Sequence, residues 1–133
     1  MSRERDSDER RRAESLGLSA ESRAAWMLRL KLHTVLARRY RCAAGEIDLV
    51  VRRGRTLVFV EVKARDTLAA AIDAVTPRAR ARILAAADVF VARHPALADL
   101  DRRFDLVAVL PGRWPRHLRD AFRADDLDLP RRW

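Results

Sequence analysis

Cysteine is almost missing from this 133-residue chain. Cys42 stands alone, so no disulfide can close within one chain and no cysteine-based zinc cluster can assemble. A reducing, cytoplasmic setting is the expectation that follows. No apolar run approaches the length of a membrane-spanning helix, and the N-terminal residues lack the apolar stretch of a secretory signal, so no membrane partner is expected. Lysine is scarce as well: of 28 basic residues only Lys31 and Lys63 are not arginine. His33, His94 and His117 are scattered without metal-ligand spacing, which assigns them to surface or capping roles. Trp26, Trp114 and Trp133 make no repeated platform on which bases would stack. No internal repeat is visible.

What is present is enough for one folded domain. Hydrophobic residues make up 49% and charged residues 35%, a globular balance at a length that supports a single core. Residues 1–16 mix both charge signs with almost no apolar content and read as a disordered tail, 17–125 as the domain, and 126–133 as a C-terminal tail. The net charge of +9 suits a polyanionic partner, because arginines neutralise phosphates and release counterions. The competing reading spreads the same charge evenly over solvated faces.

Apolar spacing predicts a helix from Ser19 to about Arg39, with Ala25, Leu28, Leu32, Val35 and Leu36 on its inner stripe and Lys31 at a plain surface position. Glu21 falls on that same stripe in the first turn. LAAAIDAV reads as a loop or short helix. A further helix is expected from Thr76-Pro77, with threonine as N-cap, proline at the first position, and Ile83, Ala87, Phe90 and Val91 inward. FDLVAVLPG reads as a strand, and WPRHLRDAF as a short helix or edge element. Helix, strand, strand, helix, strand gives a small α/β sheet with helices packed on it.

The most informative stretch is GEIDLVVRRGRTLVFVEVK, residues 45–63. It reads as a hairpin turning at Gly54-Arg55, with glycine supplying the positive φ of a type II′ turn. In that register Val51 faces Val58, Leu49 faces Val60 and Ile47 faces Val62 on an apolar side. Asp48 lies opposite Glu61, and Glu46 opposite Lys63, on the other. A sheet avoids like charges directly opposed. A divalent cation between Asp48 and Glu61 removes the conflict: Mg²⁺ prefers hard oxygen ligands, here those two carboxylates and the Val62 carbonyl, with Glu21 joining from the helix. Lys63, a lysine where this composition would otherwise place arginine, suits contact with an attacking water. This pattern points to metal-assisted phosphodiester hydrolysis with Asp48, Glu61, Lys63 and Glu21 as catalytic residues. Glu46 is either an outer-shell group or a partner for Lys63. The bland reading is a cross-strand Glu46–Lys63 or Glu61–Lys63 salt bridge. Arg38, Arg39, Arg41, Arg53 and Arg55 flank the hairpin; with Arg65, Arg78 and Arg80 they are the expected phosphate contacts.

Asp48 followed thirteen positions later by Glu61-Val62-Lys63 resembles the PD-(D/E)XK nuclease motif, with Ile47 in place of the motif's proline. More closely, GEIDLV, LVFVEVKAR, DAVTP and RFDLVAV resemble the YraN family of uncharacterised bacterial proteins, described as predicted endonucleases similar to Holliday-junction resolvases. The resemblance spans roughly residues 18–125. It implies a restriction-endonuclease-like α/β fold with a small central mixed sheet, Mg²⁺ or Mn²⁺ chemistry on DNA, and Glu21 completing the acidic cluster. Resolvase-like relatives suggest a homodimer. The chain departs from the family at Leu32-His33 and at Ala79, which Arg78 and Arg80 flank where a lysine is usual. A non-catalytic nucleic-acid-binding module on the same fold is the alternative function.

Overall fold

The computed structural model describes residues 19–123; the segments read as tails, 1–16 and 126–133, lie outside them. The order is α1 (Ala20–Leu30), β1 (Thr34–Cys42), β2 (Gly45–Arg53), β3 (Thr56–Ala64), α2 (Leu68–Ala74), α3 (Pro77–Ala92), a 3-10 turn (Pro95–Leu97), β4 (Asp101–Val109) and β5 (Arg116–Phe122). The strands form one mixed sheet in sequence order, antiparallel except for the parallel β3–β4 pair. It is an α/β architecture, compatible with a restriction-endonuclease-like fold.

Local chemistry explains most boundaries. Ser19 caps α1 by accepting the Ser22 N–H, and Thr76 caps α3 by accepting the Ala79 N–H, with Pro77 in the first turn. The predicted helix to Arg39 is too long. Leu32 takes φ 66°, the chain leaves the helix, and residues from Thr34 onward pair with β2. Val35 and Leu36 fit helical spacing by accident of a strand rich in arginine. The 114–122 segment resolves into the edge strand β5, and LAAAIDA into α2.

The core has two layers, one on each face of the sheet. Leu49, Val51, Val58 and Val60 pack under Ala24, Ala25 and Leu28 of α1. Val50, Leu57 and Phe59 pack under Ile83, Ala87, Phe90 and Val91 of α3, with Phe104 and Phe122 alongside. Both faces of the hairpin are therefore buried, and the polar residues occupy one end of the α3 face rather than a whole side. Each fully buried large side chain here contributes about 1.5–3 kcal/mol.

The β2–β3 register is the one the turn implied: Leu49↔Val60, Val51↔Val58 and Arg53↔Thr56. Gly54 has φ 59° and Arg55 is not among the positive-φ residues, as a type II′ turn requires. The ladder stops at Leu49↔Val60, so the expected Ile47–Val62 rung is not formed. Ile47 instead joins the α3 layer, whereas Leu49, two residues on, joins the α1 layer. The strand is kinked between them, at Asp48.

Candidate metal and phosphate site at the β2 kink

Neither neighbouring strand pairs with Asp48. The β1–β2 register passes from Arg38↔Leu49 to Tyr40↔Ile47, and Arg39, between them, takes φ 50°. A left-handed arginine inside a strand is strained, and strain of this sort is retained where the fold over-determines it. The Asp48 carboxylate takes the place of the missing rung: Oδ2 accepts the Val62 N–H at 2.8 Å. That bond pins Asp48 beside the next strand's Glu61.

Gly45 holds the other side of the site. A Cβ there would sit 2.5 Å from the Arg82 carbonyl oxygen, so only glycine lets the start of β2 meet the α3 backbone. The first turns of α3 are thereby brought against the acidic residues. A cavity of about 420 Å³ lies between them, lined by Glu46, Asp48, Glu61 and Lys63 from the hairpin, Thr76 at the α3 cap, and Arg78 and Arg82 from α3.

Electrostatics inside the cavity are unbalanced. Burial pushes the Glu61 carboxyl up to about 9, with the hydrogen bond to Asp48 and the Asp48 charge adding to the shift. Lys63 opposes the shift only weakly, with Nζ 3.9 Å from Glu61 Oε1. The Glu61–Lys63 pair of the bland reading is thus present, but at the long limit of an ion pair. Two carboxyls this close share either a proton or a cation, and their hard oxygens fit Mg²⁺ or Mn²⁺. Among the described residues no cluster of three or more His, Cys, Asp or Glu forms a ready cage. Asp48 and Glu61 would leave most positions around a cation to backbone, water and substrate oxygens, the usual habit of Mg²⁺.

The other residues singled out from the sequence divide. Glu21 does not line the cavity; its two oxygens accept from Arg38 Nε at 3.1 Å and Arg39 Nε at 3.0 Å. It remains a neighbour, since the Arg39 charge is also felt by Glu46 and Asp48. Glu46 pairs with Arg41 at 3.2 Å rather than with Lys63. Arg78 is in the cavity wall. Arg80 is not: its Nε donates to the Val75 carbonyl and its guanidinium lies 5.8 Å from the centre of the Phe122 ring. Arg53 and Arg55 are at the turn end of the hairpin, several rungs away, where Arg55 bonds the Asp99 carbonyl. Arg65, just past β3, bonds the Ala64 carbonyl.

Arg82 was missed as a site residue, although helical spacing carries the signal. Arg78 and Arg82 are four apart and share a face, while Arg80 points elsewhere. A larger cavity of about 590 Å³ lies at the start of β4, but each of its arginines is already partnered, Arg102 with Asp88, Arg103 with Asp105 and Arg123 with Asp120. Size alone does not mark the site.

A model of the uncharacterised protein family UPF0102 matches residues 20–109, which include every residue of the cavity. A UPF0102 protein of Methylorubrum extorquens is 54% identical over 118 residues, covering 89% of this chain and 92% of the relative. One from Parvibaculum lavamentivorans is 56% identical over 108 residues, covering 81% of each, and one from Methylocella silvestris is 48% identical over 91% of this chain and 98% of the relative. The chain belongs to the uncharacterised UPF0102 family, the YraN family.

Proposed function

We propose that this protein is a divalent-metal-dependent nuclease acting on DNA. The observation that carries the reading is the kink at Asp48. Beside the left-handed Arg39 of β1, β2 gives up ladder pairing at Asp48 and sets one carboxylate against another, with a lysine and two arginines facing the same cavity. A purely structural sheet has no use for such an arrangement.

Asp48 and Glu61 would hold the cation, with the Val62 carbonyl as a further donor. When bound, the cation supplies Lewis-acid polarisation of a phosphoryl oxygen and a more acidic water. Lys63 would orient the attacking water and stabilise negative charge as it develops. Arg78 and Arg82, beside the N-terminal end of α3, supply positive charge for the phosphates next to the scissile bond. Glu21 acts from outside the cavity, holding Arg38 and Arg39 at the rim.

Incubation with Mg²⁺ or Mn²⁺ and a panel of linear, flapped and four-way DNA tests this. Cleavage that Asp48→Asn abolishes is the expected result. Failure to cut any member, with metal affinity unaltered by Asp48→Asn, overturns it. Salt-sensitive DNA binding without cleavage would identify a non-catalytic module instead.

A further inference from the structure

Only two positions in this arginine-rich chain hold lysine, and the cavity accounts for Lys63 alone. Lys31, the C-cap of α1, lies on the opposite face of the sheet. Its Nζ is 2.7 Å from Nδ1 of His117 on β5, and Nε2 of the same ring is 2.6 Å from Oδ2 of Asp105 on β4. Asp105 is fully buried and is held in turn by two bonds of 2.8 Å from Arg103 and one of 2.9 Å from the Asp120 N–H. A carboxylate only accepts, so Nε2 carries the ring proton and Nδ1 presents its lone pair to Lys31. Carboxylate, imidazole and amine thus form one hydrogen-bonded chain. It reaches the surface at Lys31, since the His117 side chain is only 2% exposed.

A lysine in an ordinary structural tie meets a carboxylate, which keeps it an ammonium. Lys63 does so, 3.9 Å from Glu61. Among the described residues no carboxylate pairs with Lys31; its partner is a nitrogen base that can take a proton. Arginine, the usual cation of this chain, could not give one up. Asp105 assists by fixing the tautomer of His117 and by facing the imidazolium as it forms, which is how base-assisted nucleophiles are built. The other charges around Lys31 are Arg119 on β5, Arg103 on β4 and Arg53 at the end of β2. His33 stands edge-on to His117, with ring centres 5.9 Å apart. Burial and then Arg119 loosen the hold of Lys31 on its proton, and Asp105 opposes them.

We propose that Lys31 is a nucleophilic amine, activated by His117 and Asp105, that captures an aldehyde as an imine. His117 Nδ1 takes a proton from the ammonium, and the freed Nζ lone pair bonds to the carbonyl carbon as the C=O π pair moves to oxygen. A second nitrogen proton passes to that oxygen. The His117 imidazolium then returns its own proton, and the oxygen leaves as water. The product is a protonated imine, with no net change of charge and no oxidant or reductant consumed. The aldehyde is either free or carried on nucleic acid, as the opened sugar of an abasic site. The site stands whether or not the opposite cavity cleaves anything.

The test uses the full chain in EDTA at pH 7. In one arm, propanal with cyanoborohydride traps the imine, and peptide mass mapping compares Lys31 with Lys63 in the same sample. Lys31 should be alkylated several-fold faster, with the excess lost in denaturant and narrowing toward about pH 10. His117→Gln should remove the excess at pH 7 while changing the rate near pH 10 little. The comparison of the two lysines is internal to the parent protein, so it holds even where a variant fails to fold. In the other arm, a labelled duplex with one abasic site is trapped with borohydride. A covalent adduct that maps to Lys31 and disappears in Lys31→Arg identifies a nucleic-acid aldehyde as the source. Fast alkylation by propanal without that adduct identifies a free aldehyde. Lys31 reacting no faster than Lys63, with no Lys31 adduct on the duplex, overturns the proposal.

Discussion

Asp105 and Glu61 sit one rung apart on paired strands, facing opposite sides of the same sheet, and their carboxyls meet opposite fates. Val60 pairs with Asp105, and Glu61 with Leu106. Burial alone would raise both. At Asp105 that tendency is outweighed by bonds from His117, Arg103 and the Asp120 N–H, and the carboxyl is held down to about 2. At Glu61 a neighbouring group is another carboxyl, its paired cation Lys63 is 3.9 Å off, and the carboxyl is pushed up to about 9. Burial is common to the two, and the supply of donors separates them. A saturated buried carboxylate is a structural tie. A buried carboxyl pair short of donors is a place for something to bind.

The largest expected effect comes from breaking the saturated side. Asp105→Asn leaves Arg103 and His117 facing a neutral amide and should cost about 3–5 kcal/mol in denaturant unfolding. The native pKa lies below the unfolded value, so the stability that Asp105 contributes is present above about pH 4. It should fade as pH falls toward 2, and the variant should lack this acid limb.

Gly45→Ala comes next. Its methyl group meets the Arg82 carbonyl oxygen, so α3 or β2 must shift, at about 1–3 kcal/mol of stability. Cavity function should fall by more than stability alone accounts for, which the Mg²⁺-induced Tm shift measured beside denaturant unfolding would show.

Glu61→Gln sharpens the comparison from the deficient side. The native Glu61 pKa is above its unfolded value, so metal-free parent protein should lose stability as pH rises from about 4.5 toward 9. The glutamine variant should show a flatter profile and no stabilisation by Mg²⁺. The smallest effect is expected for Arg82→Ala. Stability should change by no more than about 0.5 kcal/mol, and the salt slope of DNA binding should fall by about 1.

Much of this was legible from sequence where the signal is local. The hairpin register follows from a period of two and a glycine turn, and the α3 start follows from a threonine cap and a proline. The acidic pair was legible too, because alternation gathers Asp48 and Glu61 on one side. Its means of assembly was not. Alternation predicts a regular rung, whereas the strand kinks and the Asp48 carboxylate takes the Val62 N–H itself. β1 was misread because the edge strand has no continuous buried face to advertise its period, its exposure alternating irregularly among arginines. Lys31 and His117 passed as unremarkable because nothing in a chain reports a contact across 86 residues.

The central claim is that Asp48 and Glu61 share a proton only until a divalent cation takes its place. Carbon-13 NMR titration of the Glu61 side-chain carboxyl, with and without saturating Mg²⁺, tests it most directly. The account predicts a midpoint near 9 without metal and a displacement to the ordinary carboxylate range with it. A midpoint that Mg²⁺ does not move, or an ordinary one in its absence, would contradict it.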